Sequence, residues 1–177
     1  MQPAALLDLL IQNGIAMQQQ VYARNAYLCH AGTMATDIYY IEEGSVQVYV
    51  TDQDEEQIIR FGYAGNIIVA LDAFLTGQPT SFYMQAIKKT KVHIIRKEAF
   101  MQWVYSDIAY TQLWARLMED LVVQQMEREI DLLTTAPKTR YERVLARSPQ
   151  LFQQIPNKYI ASYLRMSPET LSRLKKS

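Results

Sequence analysis

"YIASYLRMSPETLSRLKKS" (Tyr159–Ser177) decides how this chain is read. It holds two short amphipathic arms around a turn. In the first arm Tyr159, Ile160, Tyr163 and Leu164 recur at helical spacing, and in the second Leu171 and Leu174 are three apart. Ser167 is a favourable N-cap, and Pro168 falls at the first helical position, where its missing N–H is no loss. With Leu171 and Leu174 turned inward, Glu169, Thr170, Ser172, Arg173 and Lys176 are left outside. A short helix, a turn and a second helix of this length match a helix-turn-helix. The outward residues carry chemistry suited to base edges. Arg173 can pair with guanine through two hydrogen bonds, Glu169 can accept from a cytosine amino group, and Thr170 can bond a base or phosphate or meet a thymine methyl. Lys158, Ser167, Ser172, Lys175 and Lys176 suit phosphates.

The charge distribution points the same way. The 177 residues include 18 basic and 18 acidic side chains, for a net charge of zero. That average hides an asymmetry. Between Pro137 and Ser177 nine bases (Lys138, Arg140, Arg143, Arg147, Lys158, Arg165, Arg173, Lys175, Lys176) face two acids, Glu142 and Glu169, which leaves +7 there and −7 on residues 1–136. A basic end on an acidic body fits a polyanion partner for that end alone. A solvated charged face would show the same bias, so charge by itself does not decide.

Working towards the N-terminus, "APKT" (Ala136–Thr139) breaks the chain, and Tyr141–Ala146 reads as a helix ended by "SPQ". Upstream, Ser106–Thr134 runs 29 residues without Gly or Pro, a helix about 43 Å long at 1.5 Å per residue. Ser106 or Asp107 can cap its start. Its apolar positions, Tyr110, Leu113, Trp114, Leu117, Met118, Leu121, Val122, Met126, Ile130 and Leu133, form a stripe too broad for a simple seam. That fits a helix shared with a second subunit, with a core helix of a monomeric bundle as the alternative. Tyr110, Leu113, Trp114, Leu117 and Leu121 are the dimer positions expected. All six glycines lie in the first 77 residues. There "DIYYIEEG" (Asp37–Gly44), "SVQVYV" (Ser45–Val50), "QIIRF" (Gln57–Phe61) and "KVHIIR" (Lys91–Arg96) read as short strands, with "VTDQDEEQ" (Val50–Gln57) as an acidic hairpin loop and a short helix over Ala4–Gln12 before them.

Several classes drop out. No apolar run reaches transmembrane length, so no membrane partner is expected. "MQPAALLDLL" lacks a basic leader region and carries Asp8, so it does not read as a secretory signal. One cysteine, Cys29, excludes an internal disulfide and a multi-cysteine metal site and fits a reducing, cytoplasmic setting. Two histidines, His30 and His93, are too few for a metal centre; residue type alone leaves haem ligation open. No nucleophile–base set or phosphate-cradling glycine motif is present, so no catalytic residue, metal or cofactor is expected and the chain does not read as an enzyme.

The pattern "IPNKYIASYLRMSPETLSRLKK" (Ile155–Lys176) resembles the helix-turn-helix of the Crp/Fnr transcription regulators. The likeness runs along nearly the whole chain. "YYIEEGSVQVYV" resembles the family's strand–turn–strand, and "YAGNIIVALDAFLTGQPTSFYMQAI" (Tyr63–Ile87) stands where its cyclic-nucleotide cassette would be. The resemblance implies an α+β chain. It has an N-terminal antiparallel β-roll of cyclic-nucleotide-binding type over 1–105, a long dimerisation helix over 106–135 and a helix-turn-helix over 136–177 that lacks most or all of the wing. It implies a homodimer on a pseudo-palindromic double-stranded DNA site, with RNA polymerase as a further partner and an unknown small-molecule effector. Glu169, Thr170 and Arg173 match the family's base-contacting positions. Arg165 stands where the family's turn often has glycine. A left-handed non-glycine residue costs on the order of 1 kcal/mol, which favours a different turn shape here.

The cassette departs from the family pattern. The family places a carboxylate after the cassette glycine and an arginine before a Ser/Thr. Here Gly65 is followed by Asn66, and the arginine position falls on Thr80, before Ser81. No Arg or Lys lies between Tyr63 and Ile87. A buried phosphate without a cation is costly, so cyclic AMP and cyclic GMP are not expected to bind. The apolar remainder (Ile67, Ile68, Val69, Leu71, Phe74, Leu75, Phe82, Tyr83, Met84) is read either as a filled core or as a pocket for a neutral or apolar molecule. The rival to a DNA-reading regulator is a β-roll ligand-binding or protein-interaction module whose tail no longer reads DNA. That rival leaves the exposed Glu169, Thr170 and Arg173 unexplained.

Overall fold

The computed structural model describes residues 3–176; Met1 and Gln2, in the expected first segment, and Ser177, at the end of the last, lie outside the described residues. The chain forms two compact units, Met1–Ala115 and Arg116–Ser177.

The first unit opens with helix α1 (Pro3–Gln12) and continues through strands β1 (Met17–Tyr22), β2 (Tyr27–Cys29), β3 (Ile38–Glu43), β4 (Ser45–Asp52), β5 (Glu55–Tyr63) and β6 (Ile67–Ile68). Helix α2 (Leu71–Thr76), strands β7 (Tyr83–Ala86) and β8 (Thr90–Ile95) and helix α3 (Lys97–Val104) follow. Among the described residues the strands make two four-stranded antiparallel sheets, ordered β1-β8-β3-β6 and β2-β7-β4-β5. Alternation decides which side chains turn in. Val46 and Val48 of β4 join Met84 and Ala86 of β7, Ile41 of β3 and Val92 of β8 in one buried cluster. Each of these valine, isoleucine and methionine side chains contributes roughly 1.5–3 kcal/mol on burial.

Two turns show why the strands pair in this register. The expected acidic loop Val50–Gln57 shrinks to two residues, because Val50, Thr51 and Asp52 pair with Gln57, Glu56 and Glu55. Gln53 and Asp54 both take left-handed backbone, with φ 48° and 66°. A two-residue turn of that hand matches the twist of the strands it joins, so the ladder runs to its edge. Between β3 and β4, Gly44 has φ 92°, and a Cβ there would lie 2.5 Å from the Lys89 carbonyl oxygen. Only glycine fits.

The sequence reading anticipates neither α2 nor α3. In α3, Phe100, Trp103 and Val104 are buried. Helix α4 (Ile108–Leu133) is 26 residues long, about 39 Å, slightly shorter than the expected run. Asp107 caps it, its Oδ1 accepting the Ala109 N–H at 2.7 Å, while the Ser106 hydroxyl donates to the Trp103 carbonyl.

The second unit adds α5 (Pro137–Arg147), α6 (Leu151–Gln154), α7 (Asn157–Tyr163) and α8 (Pro168–Leu174). Pro137, the second residue of "APKT", opens α5, so the break falls on residues 134–136 and the helix starts before the expected Tyr141. Val144, Leu151, Ile155, Ile160, Leu164 and Leu171 are buried and give this unit its core.

Candidate nucleic-acid interface and sensor cassette

Helix α8 is specified by local chemistry. The Ser167 hydroxyl accepts the Thr170 N–H at 3.2 Å, and Pro168 fills the first helical position. Leu171 is fully buried and Leu174 half-buried, so Glu169, Ser172, Arg173, Lys175 and Lys176 stand exposed, as does Lys158 on α7. Thr170 is half-buried, and its hydroxyl accepts from Arg173 Nη2 at 3.4 Å. The Ser167 oxygen expected to meet phosphate is thus engaged as a cap. Lys175 Nζ donates to Asn157 Oδ1 at 2.7 Å, tying the end of α8 to the start of α7, and Lys158 lies 4.5 Å over the Tyr159 ring. Glu169's own backbone N–H, then the Ser167 hydroxyl, holds its carboxyl below the usual range. It is an exposed anion one helical turn from the Arg173 cation.

The turn between α7 and α8 does take the left-handed form, with Arg165 at φ 50°, against the expectation of another shape. Three contacts hold it. The Met166 N–H donates to Ala161 O at 3.0 Å and the Arg165 N–H to Ser162 O at 2.9 Å, a Schellman closure of α7. The Arg165 carbonyl accepts from Arg140 Nη2 at 3.2 Å.

Beside it lies a partly buried charge network that sequence reasoning missed. Asp131 of α4 is 0% exposed. It accepts from Arg143 Nε at 3.1 Å and also from Arg147 Nη2, while Glu127 Oε2 accepts from Arg143 Nη2 at 2.8 Å and Arg147 Nη1 at 3.3 Å. The hydrogen bond to Asp131 raises the Arg147 pKa above the ordinary arginine value. Buried Arg140 donates to the Thr134 carbonyl at 2.8 Å. Arg128 donates to the Tyr163 carbonyl at 2.9 Å and lies 3.5 Å over that ring; burial pulls its pKa below the ordinary arginine value. Of the nine bases in the +7 segment, Arg140 is therefore buried, and Arg143 and Arg147, which are not, have their charge matched by Glu127 and Asp131. The paired spacing Glu127/Asp131 and Arg143/Arg147, each four apart, was the available signal.

In the first unit, Gly65 has φ 83° and Asn66 lies in the turn between β5 and β6. Asn66 Oδ1 accepts the Tyr63 N–H at 3.2 Å and its carbonyl accepts the Ile41 N–H at 2.9 Å, so this side chain closes its own turn. Thr80 is 2% exposed and Ser81 is exposed. Their donors converge on a carboxylate missed in the sequence, Asp72 of α2. Its Oδ1 accepts from Thr80 Oγ1 at 2.7 Å and the Ala73 N–H at 2.8 Å, and its Oδ2 accepts the Ser81 N–H at 2.7 Å. Of the apolar cassette residues, Ile68, Phe74 and Met84 are buried and Leu75 is exposed. The rest are half-buried. Cys29 is buried with Sγ 3.8 Å from the Phe82 carbonyl; burial, opposed by a backbone hydrogen bond at Met84, pushes its thiol up to about 11. His30 packs on the Tyr27 ring, and His93 Nε2 lies 2.9 Å from Glu42 Oε2.

The face expected for a partner helix is also redistributed. Tyr110 stacks on Trp103 at 4.5 Å and donates to Asn13 Oδ1 at 3.0 Å, and Trp114 packs on Phe74 and Phe100, so these two are engaged within the chain. Leu113, Leu117 and Leu121 are half-buried. Val122, Met126, Ile130 and Leu133, the C-terminal part of the expected stripe, are exposed.

Comparison with known proteins agrees with this construction. The model of the cyclic nucleotide-binding domain matches residues 19–107, half of the chain. The cAMP-activated global transcriptional regulator CRP of Salmonella typhimurium is 32% identical over 84 residues, covering 47% of this chain and 40% of that protein. The matched stretch thus spans well under half the length of this curated relative. Among solved structures, a CooA mutant from Carboxydothermus hydrogenoformans has a TM-score of 0.74 at 18% identity, covering 97% of this chain and 82% of that one. FixK2 from Bradyrhizobium japonicum has a TM-score of 0.76 at 16% identity, covering 91% and 83%. At such identities the likeness speaks for the fold. With two antiparallel sheets, a long helix and a capped helix-turn-helix on one chain, this protein belongs to the cyclic nucleotide-binding domain family and has the fold of the Crp/Fnr transcription regulators.

Proposed function

We propose that the protein is a homodimeric, sequence-specific DNA-binding transcription regulator of Crp/Fnr type whose cassette takes neither cyclic AMP nor cyclic GMP. The observation that carries the DNA reading is the Ser167-capped α8 with Glu169 and Arg173 exposed one turn apart. Glu169, Thr170 and Arg173 are the base-reading set, and Lys158, Ser172, Lys175 and Lys176 bind phosphate. Ser167 serves as the cap and as a donor to Glu169, so of the expected phosphate set it would reach a phosphate only by giving up one of those bonds. Two recognition helices would enter successive major grooves of a pseudo-palindromic site, with half-sites about 34–36 Å apart. RNA polymerase is the partner such a regulator would address.

The cassette reading rests on charge. No Lys or Arg lies between Tyr63 and Ile87, and Asn66, Thr80 and Ser81 are engaged by the chain itself. A cyclic phosphate would lose its hydration without a cation to replace it. The apolar side chains of the segment, with Ile68, Phe74 and Met84 buried, suit a filled core, or a neutral effector rather than an anion.

In-vitro selection of DNA sites by the purified chain tests the first reading, with an inverted repeat as the expected product. Against the selected site, Arg173→Ala should cost roughly 1–3 kcal/mol and relax preference at one position, while Lys176→Ala should weaken all sequences alike. If no sequence is enriched, the rival module with a silent tail stands. Calorimetric titration with cyclic AMP and cyclic GMP tests the second reading, and micromolar binding of either would defeat it.

A further inference from the structure

The corner formed by Thr80, Ser81 and Phe82 is built to hold an oxyanion and already holds one. We propose that Asp72 is an internal occupant of that corner and sets the ligand class of the sensor unit by shutting out anions. The inference deepens the cassette reading above and rests on it for treating Tyr63–Ile87 as a ligand cassette.

Two observations carry it. Asp72 is the only acid between Tyr63 and Ile87, and no base is there to balance it. Its two oxygens take the Thr80 hydroxyl and the Ser81 N–H, each at 2.7 Å, which uses the donors that converge at this corner. The corner also stands without Asp72. Thr80 is anchored through its backbone, its N–H donating to Thr33 O at 2.9 Å and its carbonyl accepting from Gly32 N–H at 2.8 Å. The Phe82 N–H donates to Thr80 Oγ1 at 3.0 Å, which fixes the hydroxyl from the other side. Donors held by a separate loop keep their aim when the acceptor is removed.

An outside anion faces two obstacles. Hydrogen bonds to a carboxylate are stronger than those between neutral groups, and a tethered acceptor competes at a high effective concentration. The newcomer also meets a like charge at close range. A neutral or cationic molecule meets neither.

The experiment uses the full chain with Asp72→Ala and three probes, formate, inorganic phosphate and cyclic AMP, at ionic strength held constant with chloride. The Ser81 amide resonance is followed by NMR. The variant should bind formate or phosphate with a saturating Ser81 shift, about tenfold tighter or more than any response of the wild type, as expected for regained charge-assisted hydrogen bonds. An equal response from the wild type, or none from the variant, overturns the proposal. Should Asp72→Ala fail to fold, Asp72→Ser keeps a short polar side chain at the start of α2 but no longer reaches both donors of the corner. Phosphate should then raise its melting temperature more than that of the wild type, and an equal rise overturns the proposal. Cyclic AMP binding to the wild type would defeat the cassette reading itself. An inert wild type with no gain in either variant would defeat only the role of Asp72.

Discussion

Arg165 holds a left-handed backbone that its side chain does not favour. The conformation survives because its carbonyl is gripped by Arg140 and the flanking amides close α7. Replacing the side chain while leaving those bonds in place should release strain. Arg165→Gly is expected to stabilise the second unit by about 1 kcal/mol, read as a higher denaturant midpoint at unchanged slope. The contrast with Ser167 shows what a sequence discloses at this scale. Ser167 and Pro168 act on amides within three positions, so their cap was legible. The turn shape at Arg165 depends on an arginine 25 positions earlier, and the role of Asp72 depends on donors eight and nine positions later. Neither distance has a local pattern to betray it.

At the scale of elements, α4 does two things along its length. Its first turns pack through Tyr110 and Trp114 onto the chain's own aromatic residues, while Val122, Met126, Ile130 and Leu133 leave a narrow apolar stripe open. Such a stripe at helical spacing is the seam that the proposed homodimer would use. Met126→Glu should therefore weaken self-association by roughly 2–4 kcal/mol, as for a charge placed among central interface contacts. Sedimentation would show monomers, and far-ultraviolet circular dichroism would show the helix intact. The helix itself was legible, because a run of this length without Gly or Pro has few other fates. Its partners were not, since periodicity says that a face is apolar and not what covers it. Helices α2 and α3, with six and eight residues, are too short for their period to stand out, although Gly77 as a left-handed cap on α2 was a usable sign.

For the whole molecule, the split of charge between the two ends was visible in composition, and its internal use was not. Arginines 140, 143 and 147 count as tail charge in the sequence, but in the fold Arg140 is buried and the other two are paired with Glu127 and Asp131. The surface offered to a polyanion is thus smaller than +7 suggests and is carried mainly by α7, α8 and the turn between them. The aromatic packing around Trp103 and Trp114 has a practical consequence. These are the only tryptophans, and both belong to the first unit. Indole emission therefore watches the β-rich unit alone, whereas far-ultraviolet dichroism is weighted towards the helices of the other. Because each unit has its own core, melts followed by the two signals are expected to part rather than coincide. An added compound that moves only the emission curve would be acting on the first unit, and a duplex that moves only the dichroism curve would be acting on the second.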